Sequence, residues 1–581
     1  MTDAPPNSTM IFGEVAVTGA ASGSAFVCVC AAPVRVPRRT IGEDEVPGEM
    51  ERFDAAVSRA AQHLLDLQRG GERHVGNHAA GIFAAHSLIL RDVTLRNEIG
   101  TICLTEKVNV EVATEKIIDK WTAKFDRMED PHFRARAADF RDIGNRLLDI
   151  LAGGRGGTVP ALPEGSIIVT DEILPSLITQ LERNVIRGLI LERGGQTAHA
   201  MILARSLGIP ALIQVPDCTT RIQTGDRLIV DGVAGRVFVN PSPTIVREYD
   251  KLREGLKAHQ HALQGIIKLP TVTLDGVEIK LRVNAGKVAD APAVAALNAD
   301  GIGLYRTEFM FMAQDHFPSE EEQYQMYRAA ADRVKPHKMV IRILDLGSDK
   351  RLPYFPRPHE DNPSLGRRGI RLLLGHPDIL RTQLRAILRV SAAHPVAVLF
   401  PMIGDVEELL AAKTALEDAK VELAGEGQPF NHHIVVGAMI ETPSAVILVR
   451  HLAQHVDFLS VGTNDLVQYL LTTDRTSSEM ASYYEPLHPA VLQALSSLAT
   501  TARECGKGIS ICGEMAGNAA YTALLLGLGF RSLSVSSGEF LEVKNVIRST
   551  RMDRAESLAT KVLASCTVGE IKACLHDARS S

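Results

Sequence analysis

The feature that most constrains the fold is a series of eight short apolar runs in the C-terminal half of the chain. Successive runs are separated by enough residues for a helix, and the series extends over roughly 260 residues, which matches a (β/α)8 barrel. The runs are IKLRVNAG (279–286), GIGLYRTEF (301–309), MVIRILDLG (339–347), VAVLFPMIG (396–404), IVVGAMIET (434–442), DFLSVGTND (457–465), GISICGEMA (508–516) and RSLSVSS (531–537). We therefore predict a closed barrel of eight parallel strands, each followed by a helix.

The ends of these runs carry most of their polar residues. In a barrel such ends lie together on the C-terminal face, where active sites are built. The polar residues at these ends are Arg306, Arg342, Glu441, Asn464, Asp465 and Cys512, with Arg475 in the loop that follows the sixth run. The sequence therefore predicts a functional site on this face of the barrel.

This predicted site combines three arginines with two carboxylates. Neighbouring arginines repel one another unless an anion lies among them, and a guanidinium group binds phosphate or carboxylate through two parallel hydrogen bonds. Glu441 and Asp465 suit Mg2+, which takes few protein oxygens and completes its shell with substrate oxygens and water. The pattern favours a small phosphorylated and carboxylated metabolite bound together with Mg2+. The alternatives are structural ion pairs at the barrel rim and, for Cys512, a small residue of the apolar core.

The N-terminal half has a mixed pattern. Residues 11–34 alternate like strands, and the same pattern returns at about 158–240 with Gly and Pro between the runs. Residues 45–152 instead carry apolar residues at spacings of three and four, which is typical of helices. A helical insert within an α/β domain is the simplest explanation. Residues 243–268 are polar and helical in pattern, and we interpret them as a linking helix.

The proposed organisation has four parts. They are an α/β domain of residues 1–44 and 153–242, a helical subdomain of residues 45–152, a linker helix of residues 243–268, and a barrel of residues 269–581. The fold class expected is therefore multidomain α/β with a C-terminal (β/α)8 barrel.

One histidine stands at a predicted helix start in the run GGQTAHAMILARS (194–206). The amide groups of a helix N-terminus favour anions, so His199 could carry a phosphoryl group on one ring nitrogen while a hydrogen bond fixes the other nitrogen. We predict that His199 is a nucleophile that accepts a phosphoryl group and passes it on. The alternative is an imidazole with no chemical role.

Composition excludes several classes of protein. The formal net charge of -6 is mild for 581 residues and predicts neither a nucleic-acid-binding face nor a membrane-surface face. The N-terminus lacks the features of a signal peptide, and no uncharged apolar run approaches about 20 residues, so no membrane insertion is expected. The eight cysteines lack metal-ligand spacing and are expected to be free thiols of a cytoplasmic protein.

Several motifs together resemble the Enzyme I family of the bacterial phosphotransferase system, whose members phosphorylate a protein with phosphoenolpyruvate. The likeness extends from about residue 45 to residue 550. The motifs that carry it are GGQTAHAMILARS, GIGLYRTEFMFM, LDLGSDKRLPYF, DNPSLGRRGIR, MIETPSA, SVGTNDLVQY and CGEMAG.

The resemblance implies a role for each matching residue. His199 resembles the phosphoryl acceptor and Cys512 the acid that protonates the enolate on the way to pyruvate. Glu441 and Asp465 resemble the Mg2+ ligands. The residues that resemble the groups holding phosphoenolpyruvate are Arg306, Arg342, Asn464 and Arg475, with Arg368 assisting.

The resemblance also implies partners and motion. The phosphoryl group would pass from His199 to a histidine of an HPr-type carrier protein, which would dock on the helical insert that includes His86 and Arg136. The phosphohistidine domain would swivel, closing on the barrel for the first transfer and opening for the second. Family members are commonly homodimers through the barrel.

The sequence departs from the family at a few positions, and two other functions were considered. Ala198 precedes His199 where Ser or Cys is common, and Leu177 and Ile178 stand where the family has an acidic residue and Thr. A dikinase-like phosphoenolpyruvate enzyme would need an ATP-grasp domain upstream, and no nucleotide-binding motif is found there. A non-catalytic or regulatory phosphorelay paralogue would not need the charged residues of the barrel site, which are all present.

Overall fold

The chain forms two compact units, Met1–Ala258 and His259–Ser581. The computed structural model describes residues 9–28, 37–74, 90, 93–126, 131–153, 163–171, 186–193, 204, 208–347, 352, 354–355, 360, 362, 364–475, 477–480 and 482–580. Within these ranges no helix is both long and apolar enough to cross a membrane. The cysteines of the described ranges are free thiols, as predicted.

The first unit contains a mixed sheet whose strands come from both ends of the unit. In chain order the described strands are β1 (Thr9–Phe12), β2 (Glu14–Val17), β3 (Ala20–Cys28), β4 (Ser166–Thr170), β5 (Ile186–Leu191), β6 (Ala211–Ile213), β7 (Arg227–Asp231) and β8 (Arg236–Val239). Their order in the sheet is β1-β8-β7-β3-β4-β5-β6-β2. The central strands β3, β4, β5 and β6 run parallel, and the outer strands pair antiparallel. The split strand pattern of the sequence therefore forms one sheet.

Helices occupy the chain between β3 and β4, as the apolar spacing predicted. The described helices of this insert are Val46–His74, Val93–Glu106, Val110–Asp126 and Pro131–Leu151, preceded by a 3-10 turn at Glu43–Glu45. Their buried faces share one core that includes Phe53, Leu64, Leu95, Ile117 and Leu147. This core is separate from the apolar core of the sheet.

A buried carboxylate joins two helices of the insert. Glu49 accepts hydrogen bonds from Arg39, from Arg52 and from the backbone N–H of Val110, at 2.7 to 2.9 Å. Burial acts to raise the pKa of Glu49, but the hydrogen bonds from Val110 and the two arginines outweigh it and hold that pKa below its usual value. Ionised Glu49 therefore ties the start of Val46–His74 to the start of Val110–Asp126.

The short helix Cys218–Arg221 and the long helix Pro243–Gly265 complete the elements described up to the start of the barrel. Pro243–Gly265 covers most of the segment that the sequence predicted to be a linking helix. The boundary between the two compact units, at Ala258 and His259, falls within this helix.

The second unit is built on a closed parallel barrel. Its strands are β9 (Lys280–Ala285), β10 (Gly301–Arg306), β11 (Lys338–Arg342), β12 (Val396–Phe400), β13 (Val435–Ile440), β14 (Phe458–Val461), β15 (Gly508–Ile511) and β16 (Ser532–Val535). Each strand pairs with its neighbours in chain order, and β16 pairs with β9. Each of the eight apolar runs coincides with one strand, although β11 begins one residue before its run, so the predicted (β/α)8 barrel is confirmed.

Helices follow the strands and surround the barrel. They are Ala293–Leu297, Glu308–Met312, Glu320–Val334, Gly369–Leu374, Pro377–Ser391, Val406–Gly425, Pro443–Ile447, Val449–Ala453, Thr463–Leu470, Pro489–Glu504, Glu514–Gly517, Thr522–Gly527, Phe540–Ser549, Met552–Ala564 and Val568–Ser580, with 3-10 turns at Val288–Asp290, Ser478–Met480 and Ala519–Tyr521. Local sequence sets several starts. Ser319 and Glu322 form a reciprocal capping box, and the Asp405 side chain accepts the N–H of Glu408 at 2.8 Å.

The barrel interior has an apolar side and a polar side. Alternate residues of each strand face the surrounding helices or the interior, because side chains alternate along a strand. The apolar side consists of Leu304, Val340, Ala397, Leu399, Met439 and Cys512. The polar side lies on β9, β14, β15 and β16 and includes Asn284, Ser460, Ser510 and Ser534, joined by hydrogen bonds. Cys512 lies where the two sides meet.

Candidate functional site

The predicted site residues of the barrel converge on one cavity of about 460 Å3 at the C-terminal ends of the strands. The residues that line it are Leu304, Arg306, Arg342, Asp345, Met439, Glu441, Gly462, Asn464, Asp465, Arg475, Tyr484, Cys512, Gly513 and Glu514. Every residue that the sequence selected on the barrel is in this set except Arg368. Three arginines and four carboxylates thus surround the same space.

Several of these residues lie beyond the strands rather than at their ends. Arg306 ends β10 and Arg342 lies in β11, as predicted, whereas Glu441, expected at the end of the fifth strand, directly follows β13. The expectation that Asn464 and Asp465 end the sixth strand was wrong. That strand stops at Val461, and both residues lie in the first turn of the helix Thr463–Leu470. Glu514 likewise begins the helix Glu514–Gly517.

Arg342 is held by a buried ion cluster. One terminal nitrogen of Arg342 donates to Oε1 of Glu308, and the other lies 3.4 Å from Oδ2 of Asp345 and 3.8 Å from Sδ of Met439. Burial alone would lower the pKa of Arg342, but the surrounding carboxylates, Glu308 first, raise it above its usual value. Arg342 therefore stays charged, and its position is fixed before any ligand binds.

Arg368 lies behind the cavity and joins two of its carboxylates. Its guanidinium group contacts Oδ2 of Asp345 at 2.9 Å and Oδ1 of Asp465 at 3.0 Å, and it also donates to the Tyr469 hydroxyl at 3.2 Å. Arg368, Asp345 and Asp465 are buried, and Tyr469 is half-buried. The structure therefore places Arg368 as a counter-ion to Asp345 and Asp465.

Arg306 differs from the other arginines. Arg475 lies 3.8 Å from Asp465, and Arg342 and Arg368 have closer partners. Within the described part of the chain Arg306 makes no ion pair. A cavity-lining guanidinium whose charge is not neutralised is suited to receive an anionic ligand.

Glu441 is almost fully buried beside the other carboxylates. Its Oε1 accepts the backbone N–H of Met402 at 2.7 Å. Burial, followed by the charges of Asp465 and Asp345, raises the pKa of Glu441 to about 8. The neighbouring backbone is close, since a Cβ at Gly462 would lie only 2.4 Å from Oε2 of Glu441. The carboxylate thus depends on a glycine at position 462 for its place.

Asn464 and Glu514 fix each other between the first turns of two helices. The Asn464 side-chain amide donates to Oε1 of Glu514 at 2.9 Å, and its carbonyl oxygen accepts the Glu514 N–H at 2.8 Å. The Tyr484 hydroxyl donates to the Asn464 backbone carbonyl at 3.2 Å, and burial raises the pKa of Tyr484 to about 12. These bonds fix this side of the cavity without any ion pair to the arginines of the site.

Cys512 is a fully buried thiol directly after β15. Its Sγ accepts the Ser460 hydroxyl at 3.3 Å and donates to the Val461 carbonyl at 3.4 Å. Burial, the largest influence, raises the pKa of Cys512 to about 11. The group is therefore a neutral thiol at physiological pH, which can donate a proton but is a poor nucleophile.

The carboxylates fit a divalent cation. Glu441 and Asp465, the two carboxylates selected from the sequence, both line the cavity, and among the described residues no three Asp, Glu, His or Cys side chains are grouped as a metal site. Mg2+ commonly binds through one or two carboxylates and takes its other ligands from substrate oxygens and water. Burial is the main cause of the raised pKa of Glu441, and the charges of Asp465 and Asp345 add a repulsion that such a cation would relieve.

The predicted acceptor and docking residues lie outside the described residues. His199, with Ala198, Leu177 and Ile178, falls in ranges 172–185 and 194–203, and His86 falls in range 75–89. Arg136 lies on the helix Pro131–Leu151. The roles expected for these residues remain predictions from the sequence.

Some residues that line the cavity were not predicted from the sequence. Leu304 and Met439 each lie two residues before a selected residue, Arg306 and Glu441, and so face the same side of their strands. This alternation could have identified them. Tyr484 lies in a loop without any periodic pattern, and only the tertiary structure brings it to the site.

Comparisons with known proteins agree along the whole chain. Family models described as "PEP-utilising enzyme, N-terminal", "PEP-utilising enzyme, mobile domain" and "PEP-utilising enzyme, PEP-binding domain" match residues 13–136, 162–235 and 260–552. A phosphoenolpyruvate-protein phosphotransferase of Haemophilus influenzae is 37% identical over 562 residues, which are 97% of this chain and 98% of that protein. The protein of the same name from Bacillus subtilis is 36% identical over 93% of this chain and 94% of its own length.

Proposed function

The chain belongs to the phosphoenolpyruvate-protein phosphotransferases, and we propose that the barrel cavity is where it binds phosphoenolpyruvate. The enzyme transfers the phosphoryl group of phosphoenolpyruvate to a protein, which is the first step of the phosphotransferase system. The observation that carries the proposal is the convergence of three arginines, four carboxylates that include Glu441 and Asp465, and a neutral thiol on one cavity. Neither alternative considered from the sequence is favoured by the site.

The arginines divide the binding of a substrate that carries both a phosphate and a carboxylate. Arg306, which has no ion pair among the described residues, and Arg475, which is only loosely paired, can turn toward the anionic groups. Arg342 is fixed by Glu308 and Asp345 and offers a preorganised positive charge. Preorganised charges in a cavity stabilise a migrating phosphoryl group without reorganising during the reaction.

A Mg2+ ion completes the proposed site. Glu441 and Asp465 would hold it, and when bound it would supply positive charge to the phosphoryl oxygens. Four carboxylates line the cavity against three arginines, so the lining alone offers no net positive charge to a multiply charged anion. A divalent cation would reverse that balance, which supports its inclusion.

The remaining roles follow from the chemistry of the two products. His199 accepts the phosphoryl group, and the neutral thiol of Cys512 gives its proton to C3 of the enolate that is left, which forms pyruvate. His199 then passes the phosphoryl group to a histidine of an HPr-type carrier. The helical insert is the proposed docking site for that carrier, and the barrel is the proposed homodimer interface.

The first experiment follows labelled phosphate. Phosphoenolpyruvate labelled in its phosphoryl group, mixed with the full chain and Mg2+, should give an acid-labile label on the protein that His199→Ala abolishes. His433→Ala, which changes an exposed histidine of the barrel, is the matched control and should be labelled like the parent. Label that persists in His199→Ala would reject His199 as the acceptor, and labelling that withstands a chelator would reject the requirement for Mg2+.

The second experiment tests the binding site. Replacing Arg306 with Gln removes a charge-assisted interaction, so the KM for phosphoenolpyruvate should rise about tenfold to a hundredfold. Arg503→Gln, at an exposed position on the outer helix Pro489–Glu504, should leave the KM unchanged. Equal KM values for the two variants would reject the barrel cavity as the binding site.

A further inference from the structure

A line of hydroxyl groups ends on the sulfur of Cys512. The Ser510 hydroxyl lies 3.2 Å from the Ser460 hydroxyl and donates to it, and the Ser460 hydroxyl donates to Sγ of Cys512 at 3.3 Å. Ser460 is fully buried and does not line the cavity. It therefore acts on the interior side of the sulfur, opposite the side that a substrate can reach.

The Ser460 hydroxyl donates to a sulfur atom, which is an unusual acceptor for a buried serine. A neutral thiol is a weak hydrogen-bond acceptor, and buried serine hydroxyls in a strand usually bond to carbonyl oxygens or other strong acceptors. The Ser460 hydroxyl nevertheless donates to Cys512, while the Ser510 hydroxyl has both the Ser460 oxygen at 3.2 Å and the Leu459 carbonyl at 3.5 Å as acceptors. A sulfur that becomes a thiolate turns this weak bond into a charge-assisted one. The arrangement is thus matched to the state of Cys512 after it has lost its proton.

The backbone of Cys512 is also held in place. The Cys512 N–H donates to the Val461 carbonyl at 3.1 Å, and the Cys512 carbonyl accepts the Asn284 side-chain amide at 3.0 Å. These bonds fix the backbone but not the direction of the side chain. Among the described residues the sulfur itself has two hydrogen-bond partners, the Ser460 hydroxyl, from which it accepts at 3.3 Å, and the Val461 carbonyl, to which it donates at 3.4 Å, and of these only the Ser460 hydroxyl can donate to a thiolate.

We infer that Ser460 is a positioning residue for proton transfer by Cys512, and that its hydroxyl holds the sulfur and stabilises the thiolate formed in the step. This inference rests on the proposed function of Cys512 as the acid. In the step the S–H bond of Cys512 breaks and its electron pair stays on sulfur. The C2–C3 π electrons of the enolate form the new C3–H bond, and C2–O becomes the carbonyl of pyruvate. The thiolate later regains a proton from water.

The test is a single-turnover measurement with the full chain, Mg2+ and labelled phosphoenolpyruvate, in which label on the protein and pyruvate in its keto form are both followed. Ser460→Ala should slow pyruvate formation by about tenfold to a hundredfold, the range for losing a hydrogen bond to a charged group. The KM for phosphoenolpyruvate should stay within about twofold, because Ser460 does not reach the cavity. Phosphorylation of the protein should be slowed less than pyruvate formation.

Three further variants separate this role from a structural one. Ser460→Thr keeps the hydroxyl and should restore pyruvate formation to within about threefold of the parent. Ser510→Ala, the matched loss of a neighbouring hydroxyl, should have a smaller effect than Ser460→Ala because it leaves the bond to sulfur. The double variant Cys512→Ala with Ser460→Ala should be no slower than Cys512→Ala alone, since Ser460 acts only through the thiol.

The outcomes distinguish the two hypotheses. If Cys512→Ala slows pyruvate formation but Ser460→Ala does not, Cys512 remains the acid and the role of Ser460 is overturned. If Cys512→Ala forms pyruvate at the parent rate, the proposed acid is wrong and the inference fails with it. Losses of equal size in the Ala and Thr variants, or additive losses in the double variant, would also overturn it.

Discussion

Replacing Glu308 tests whether the buried ion pair with Arg342 both supports the barrel and prepares it for substrate. Glu308 and Arg342 are each almost wholly buried, and Arg342 also lines the cavity. Glu308→Ala removes a charge and a hydrogen-bond acceptor. Glu308→Gln removes the charge but keeps an oxygen that Arg342 can donate to. Neither substitution changes a residue of the cavity wall.

The structure sets the expected magnitudes. Removing one partner of a buried pair leaves an uncompensated charge, so Glu308→Ala should lower the free energy of unfolding of the barrel by about 3 to 5 kcal/mol. Asp345 still lies 3.4 Å from Arg342 and compensates in part, which favours the lower end of that range. Glu308→Gln should lose about half as much, because the hydrogen bond survives. Glu504→Gln breaks the half-exposed pair with Arg450 and should change the free energy by at most about 1 kcal/mol.

Both units unfold in the full chain, so the assay must assign each transition. Trp121 is the one tryptophan of the sequence and lies in the first unit, on the helix Val110–Asp126. Its fluorescence follows the first unit, whereas circular dichroism follows both, and the transition seen by circular dichroism alone belongs to the barrel. Glu308→Ala should shift only that transition. The KM for phosphoenolpyruvate should rise by about tenfold or more in the same variant, since Arg342 loses its fixed position.

Two results would refute this reasoning. If Glu308→Ala destabilises the barrel no more than Glu504→Gln does, the pair with Arg342 contributes no more than a surface pair. If stability falls as expected while the KM is unchanged, substrate binding does not depend on the position that Glu308 gives to Arg342.

Three further substitutions give smaller tests. In the parent, ionised Glu49 stabilises the first unit, and because its pKa lies below the usual value this stability is lost only as pH falls through that lower value. Glu49→Gln lacks this contribution, so the first unit should unfold at a higher pH on acidification. Trp121 fluorescence measures the transition, which Glu51→Gln at an exposed position should not shift. Gly462→Ala should lower kcat/KM at least about tenfold, because its Cβ would lie 2.4 Å from a carboxylate oxygen, whereas Gly508→Ala meets no atom within 4 Å and should be neutral. Arg368→Met leaves neighbouring carboxylates without their counter-ion, so its melting temperature should rise more with added Mg2+ than that of the parent, and an equal rise would contradict this.

The sequence predicted the barrel and the convergence of its polar residues, because strand periodicity and the common direction of parallel strands are local and repeated properties. It did not predict where strands stop. In SVGTND the apolar pattern continues to Val461, and nothing in the letters separates a longer strand from a turn into a helix, so Asn464 and Asp465 were expected on the strand. Boundaries of this kind depend on how the chain packs above the barrel.

Charge pairing was the other limit. Glu308 follows β10 and Arg342 ends β11, so the sequence places both near the site. Only the tertiary structure shows that Glu308 neutralises Arg342. The same holds for Arg368, which the family resemblance assigned to substrate and which the structure places between Asp345 and Asp465. Motifs identify which residues are charged, but distances decide which of those charges remain available for a ligand. By that measure Arg306 is the most available arginine of the site.

In the proposed mechanism Cys512 must keep its proton although it lies beside the carboxylates that would bind Mg2+. A thiol meets this requirement better than a carboxylic acid would. Burial raises the pKa of Glu441 to about 8 and that of Cys512 to about 11. A carboxyl group prefers a hard cation to a proton, so a carboxylic acid at position 512 would compete with Glu441 for the same Mg2+ and lose its proton in doing so. A thiol is a soft ligand with little affinity for Mg2+. On the apolar side of the barrel interior it therefore retains its proton next to the proposed metal site, and the hydroxyl of Ser460 behind it gives the resulting thiolate a hydrogen-bond donor.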